Sequence, residues 1–148
     1  MKTIFEPAVR KELIERVNKL SVHSQRVFGN MKPEQGLHHI NAALQLYLGE
    51  ITSPFHGSAL KAAIFKLITF SPIPIPREKA KTAPPLVSEG TYNIQTEKTR
   101  FAELLARVAS QPATYEWPIH PFFGKMNSDQ YGKLSYKHTD HHLQQFGV

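Results

Sequence analysis

The sequence predicts an all-α fold, and three observations carry that expectation. Apolar residues recur at helical spacing in five separate segments. No stretch of convincing length alternates apolar and polar residues as a half-buried strand would. Every proline falls at the first position of a periodic segment or between segments, never inside one. A chain of 148 residues suits one domain, taken here as 1–148. Antiparallel helices with one long crossover make a four-helix bundle the natural packing, with an extra short helix beside it.

The first helix is expected from about Pro7 to Leu20. Pro7 suits the first helical position, and Val9, Leu13, Val17 and Leu20, with Ile14 beside them, form one stripe. Glu12 and Arg16 are an i,i+4 pair in the favoured order. The second helix, Pro33 to about Leu48, carries Leu37, Ile40, Leu44, Tyr47 and Leu48 on its stripe, and Gly49 is its stop. A shorter helix, Ser58 to Phe70, has Leu60, Ala63, Ile64, Leu67 and Ile68 at helical spacing. Pro72, Pro74 and Pro76, then Pro84 and Pro85, make residues 71–92 a long extended crossover. A helix from about Thr96 to Ala109 turns Phe101, Leu104, Leu105 and Val108 inward. A loop rich in proline and aromatics follows, Trp117 to Gly124, and the last helix runs from Ser128 to about Phe146.

The starts of the second and last helices echo each other. Gly29 to Gln35 and Gly124 to Gln130 both read Gly-x-Met-x-x-acid-Gln. In the later copy Asn127 can cap the helix and Gln130 can reach back, a capping box. In the earlier copy Lys32 holds the cap position and its ammonium cannot accept a hydrogen bond. The echo is equally a duplication or two good helix starts.

Composition narrows the function classes. A hydrophobic fraction of 41% and a charged fraction of 20% exclude general disorder, collagen and coiled coil. With no cysteine there is no disulfide, thiolate zinc site, iron–sulfur cluster or cysteine nucleophile. Apolar runs fall far short of the roughly 20 residues that span a bilayer, and the first ten residues lack a leader's apolar region. A cytoplasmic protein without a membrane partner is expected. The net charge of +6 is densest from Lys61 to Lys81, where Lys61, Lys66, Arg77, Lys79 and Lys81 face Glu78 alone. That stretch reads as a solvated basic face, and with no nucleic-acid motif present no nucleic-acid partner is expected.

The unusual count is eight histidines. His138 and His142 stand about 40° apart on the last helix, one turn from each other, on the face that carries Tyr131, Leu134 and Gln145. Two histidines at i and i+4 form half of a transition-metal site, because both rings can reach one ion. His141 lies about 60° to one side and could replace or support either. On the second helix His39 lies about 110° from the apolar centre and His38 about 150°, so His39 faces the bundle edge and His38 solvent. Gly36 and Ala43 leave room beside the His39 ring. Three neutral imidazoles leave a tetrahedral ion one open position, the pattern of a catalytic zinc site.

The C-terminal stretch His120-Pro121-Phe122-Phe123-Gly124-Lys125, with Tyr136-Lys137-His138-Thr139-Asp140-His141-His142-Leu143-Gln144-Gln145-Phe146-Gly147-Val148, resembles an uncharacterised branch of the DinB/YfiT-like metalloenzyme superfamily. The opening Met1 to Phe5, the run Ser24 to Met31 and the second-helix His-x-x-x-Ala resemble the same branch. Phe28 departs from the expected tryptophan and Lys32 from the usual capping residue. The resemblance implies a four-helix bundle with a three-His metal site built from His39, His138 and His142. Bundles of this type often pair as homodimers, although the sequence shows no decisive exposed stripe for such a pairing. It also implies a divalent transition metal, with zinc, nickel or iron foremost. The activity it implies is thiol S-transfer to a small electrophile, with a low-molecular-weight thiol as cosubstrate. Metal-dependent hydrolysis and a non-catalytic, stress-related metal-binding role are the alternatives. The absence of cysteine is compatible with a thiol that comes from the cosubstrate. Candidates for an acid or base are His141, Tyr131, His120 and Glu34, while Asp140 points to solvent. His120, with Trp117, Phe122 and Phe123, either lines a pocket mouth or seals the bundle end.

Overall fold

The computed structural model describes residues 1–73, 75 and 84–148. Pro74, Pro76 and the charged residues Arg77, Glu78, Lys79 and Lys81 of the predicted basic stretch and crossover lie outside them. The described chain is all-helical and contains no strand: α1 Pro7–Lys19, α2 Pro33–Tyr47, α3 Ala59–Thr69, a 3₁₀ turn Pro84–Leu86, α4 Ile94–Ala109 and α5 Ser128–Gln144.

Local chemistry explains the ends. Pro7 and Pro33 open α1 and α2, where a missing backbone N–H costs nothing. Ser58, Asn93 and Asn127 each cap a helix by accepting from a backbone N–H of the first turn. Gly49, with φ of 74°, takes the left-handed conformation just beyond α2. The two echoed helix starts share half a motif. Gln35 Oε1 accepts from the Lys32 N–H at 3.0 Å, as Gln130 Oε1 does from the Asn127 N–H at 3.1 Å. Only Asn127 completes the box.

The apolar stripes pack α2 against α4 and α5, and α1 against the same two helices. Val9, Leu13 and Val17 of α1 meet Leu37, Ile40 and Leu44 of α2, Phe101, Leu104, Leu105 and Val108 of α4, and Tyr131, Leu134 and Leu143 of α5 in one core cluster. Gly36 permits a close approach, since a Cβ there would stand 2.8 Å from Phe146 Cε2. The space that the sequence suggested for the His39 ring is thus partly taken by Phe146. Phe146 pins the chain just beyond α5 onto the start of α2 and so helps fix where these two helices meet.

Two segments differ from expectation. The stripe of α3 does not face the core: Leu60 is 72% exposed and Leu67 76%, and only Ala62 is buried. Helical periodicity reports that a helix is amphipathic but not which neighbour covers it. Within the crossover, Pro84–Leu86 forms a 3₁₀ turn and buries Leu86 against α2. Proline tolerates such a turn because its fixed φ fits it.

Candidate metal centre

His39 is carried by α2; His138 and His142 are carried by α5, one turn apart. The packing of α2 against α5 brings the three rings together. His39 Nε2 lies 3.0 Å from His138 Nε2, and His142 Nε2 lies 3.1 Å from the same atom. One ligand nitrogen from each residue falls within 4.8 Å of the others. Nitrogens about 2.0–2.1 Å from one ion, subtending roughly right-angled to tetrahedral geometry, stand about 2.9–3.4 Å from each other. The two short separations match that spacing.

The outer ring nitrogens are held elsewhere. His39 Nδ1 donates to the Leu86 carbonyl at 2.7 Å, and His142 Nδ1 donates to Gln145 Oε1 at 2.9 Å. A proton on Nδ1 leaves Nε2 of a neutral imidazole as a lone pair. Both lone pairs therefore face His138 Nε2, which has at most one proton to offer. Three inward nitrogens with at most one proton among them suit a cation, and outward Nδ1 bonds are how protein ligands are oriented toward a metal. The donor set fits a divalent transition ion held by His39, His138 and His142.

Burial keeps these rings neutral. It pushes His142 down to about 3, helped by the neighbouring His39 and partly opposed by the bond to Gln145. It also lowers His39, against the opposing effect of the Leu86 bond. His138 lies well below the ordinary imidazole range, first through burial and then through the histidines around it. Desolvation disfavours the charged imidazolium, and a neutral imidazole is the form that ligates.

The other candidates have different occupations. Tyr131 is fully buried, stacks on Trp117 at 4.6 Å and donates its hydroxyl to the Pro118 carbonyl at 2.6 Å. Burial pushes its phenol up, away from any basic role. His120 pairs with Gly124 across a tight turn, and its Nδ1 accepts from the Phe122 and Phe123 N–H groups at 3.2 and 3.3 Å. Burial lowers it to about 3. It lies among Tyr47, Phe123 and Tyr131 and is outside the three-His group. The loop aromatics around it, Trp117, Phe122 and Phe123, pack against the core. Glu34 is buried in the first turn of α2. His141 is half-buried, its ring 5.1 Å from that of His142 and 5.4 Å from Phe28. A cavity of about 600 Å³ lies on its side of α5, lined also by Phe28, Phe70, Tyr136 and Lys137.

Two solvent-facing expectations are corrected. His38 is not free in solvent: its ring stacks on Tyr92 at 3.7 Å, and its Nδ1 lies 3.1 Å from Glu97 Oε1. Asp140 is half-buried and pairs with Arg16 at 2.7 Å. Both positions lie off their helix's apolar stripe, yet a neighbouring element covers each of them. Two contributors escaped the sequence. Gln145 shares the wheel face of His138 and His142, a signal that could have found it. The Leu86 carbonyl is a backbone atom in a proline-rich loop, and no residue type announces it.

The class these features define is an all-helical protein with a three-histidine cluster of metal-binding geometry, in which His39 and His142 are buried and His138 half-buried. The chain belongs to DUF1569, described as a protein of unknown function, whose family model matches residues 10–147. Neither a search of curated proteins nor a search of solved structures finds a match. Among the described residues no helix is long and apolar enough to cross a membrane.

Proposed function

We propose that this chain is a DinB/YfiT-like four-helix bundle, formed by α1, α2, α4 and α5, that holds a divalent transition metal at His39, His138 and His142 and acts as a metal-dependent enzyme. The observation that carries this reading is the convergence of the three Nε2 atoms, with Nδ1 of His39 and of His142 anchored outward. Nitrogen-only donors favour zinc, nickel or iron over calcium or magnesium. A bound ion with three protein ligands keeps coordination open to an outside molecule and supplies Lewis-acid chemistry. The chain's own part is to hold three neutral rings in register and to exclude water from the buried side, where Leu37, Leu143 and Phe146 belong to the core. Thiol transfer to a small electrophile is the reaction we favour on the family resemblance, and the absence of cysteine is compatible with it, since the thiol would come from a cosubstrate. His141, whose ring lies 5.1 Å from that of His142 and lines the cavity on that side of α5, is the acid or base candidate we favour.

The first test is element-resolved metal content of untagged protein purified without added metal. About one equivalent in the wild type, lost in His142→Ala, supports the site. Metal-loaded protein is then offered a panel of low-molecular-weight thiols with an electrophilic acceptor, and a panel of esters and amides. Thiol-dependent turnover supports the transferase, and thiol-independent hydrolysis replaces it with a hydrolase. Silence in both panels, with a loaded site that admits neither azide nor thiolate, overturns the enzyme reading and leaves a metal clasp between α2 and α5.

A further inference from the structure

We propose that residues 86–92 form a strap that sets the donor atom of His39, and that Tyr92 is the positioning residue that holds it. The inference rests on the metal-centre reading and adds to it a residue outside the three ligands. The bond that fixes His39 runs to a main-chain carbonyl, so its geometry depends on where the whole segment lies. Leu86 O accepts from His39 Nδ1 at 2.7 Å, and the buried Ser88 hydroxyl donates to the same oxygen at 3.4 Å. Four residues beyond Leu86, the Gly90 carbonyl accepts from Gln35 Nε2 at 3.1 Å. Two residues further on, the Tyr92 ring lies on the His38 ring, with centroids 3.7 Å apart and planes 13° apart. Asn93 then caps α4 by accepting from the Thr96 N–H at 3.0 Å.

The segment is therefore tied to one flank of α2 at Gln35, His38 and His39. The face it rests on is itself braced. Glu97 Oε1 lies 3.1 Å from His38 Nδ1, and Asn41 Nδ2 donates to Glu97 Oε2 at 2.7 Å and to the Glu97 carbonyl at 2.9 Å. Glu97 and Asn41 are buried, so the plane on which Tyr92 stacks is held from inside the protein. Irregular chain without such ties samples many positions, and a carbonyl that wanders cannot select one imidazole tautomer. If the Leu86 carbonyl leaves, His39 can carry its proton on Nε2, which removes the lone pair that a metal needs. Tyr92 thus acts on the centre through the strap and His39, without touching the ligand nitrogens.

The test compares Tyr92→Leu, which keeps apolar bulk without the stack, with Tyr92→Phe, which keeps the ring. Long-range ¹H–¹⁵N spectra of histidine side chains read the His39 tautomer in metal-free protein, and competition with a chromophoric chelator reads zinc affinity. The expected result is one Nδ1-protonated tautomer of His39 in the wild type and in Tyr92→Phe. In Tyr92→Leu a mixture of tautomers is expected, with zinc binding weakened about 10- to 100-fold, the usual loss when an outer partner of a ligand is removed. Far-UV circular dichroism of the metal-free variants separates this from unfolding, which would reach every buried histidine signal and not His39 alone. If both variants keep the wild-type tautomer and affinity, or both lose them equally, the strap does not depend on this stack and the inference is overturned. A wild type that binds no zinc defeats the metal reading, while the tautomer comparison still decides the strap.

Discussion

Acid should unfold the metal-free protein unusually early, because its buried histidines are neutral. Burial lowers His39, His120, His138 and His142 in the folded state, the second and fourth of these to about 3. In the unfolded chain all four return to about 6.5. Below that value the unfolded state binds protons that the folded state refuses, so stability present at neutral pH is lost as the pH falls from about 6.5. Each such group contributes up to about 1.4 kcal/mol per pH unit. His120 and His142 alone, two units below the unfolded value, remove about 5 kcal/mol, comparable with the whole stability of a marginal domain. Urea denaturation of metal-stripped protein, followed by far-UV circular dichroism at several pH values, measures this directly. Between pH 5 and 6 most ordinary carboxylates are ionised in both states, so the slope there reports mainly the histidines. The expected slope is about 3–5 kcal/mol per pH unit, reduced by about 1.4 in His120→Gln, provided that variant still folds. A slope near zero would mean that these rings already carry protons in the folded protein, and the neutral-cluster reasoning would fail. Bound metal excludes protons from its ligands and should move the acid transition to lower pH.

Three further outcomes are expected. Gln145→Ala removes the acceptor of His142 Nδ1 and should weaken zinc binding about 10- to 100-fold, with Gln145→Glu retaining most of it; isothermal titration calorimetry decides. Tyr131→Phe leaves the Pro118 carbonyl without its hydroxyl donor and should cost about 1–2 kcal/mol in urea denaturation while metal content stays unchanged; lost metal would contradict its structural role. Gly36→Ala drives a methyl toward Phe146 and should destabilise by about 1–3 kcal/mol, measured the same way; a neutral result would show that the ring moves aside freely.

The helices were legible in the sequence because their causes are local. Pro33 and Asn127 start a helix through their own backbone and side-chain chemistry, and the i,i+4 spacing of His138 and His142 puts both rings on one face whatever surrounds it. The inward place of Phe101, Leu104, Leu105 and Val108 follows from periodicity in the same way. Tertiary structure decided what depends on a distant partner. It set the Leu86 carbonyl on His39, 47 positions away, and Arg16 on Asp140, 124 positions away. It turned His38 from a solvent-facing residue into a stacking platform for Tyr92 and left the stripe of α3 outward. A side chain's helical face follows from the 3.6-residue turn, which the sequence writes directly. What covers that face depends on how separate elements dock, and spacing along one element carries no record of that.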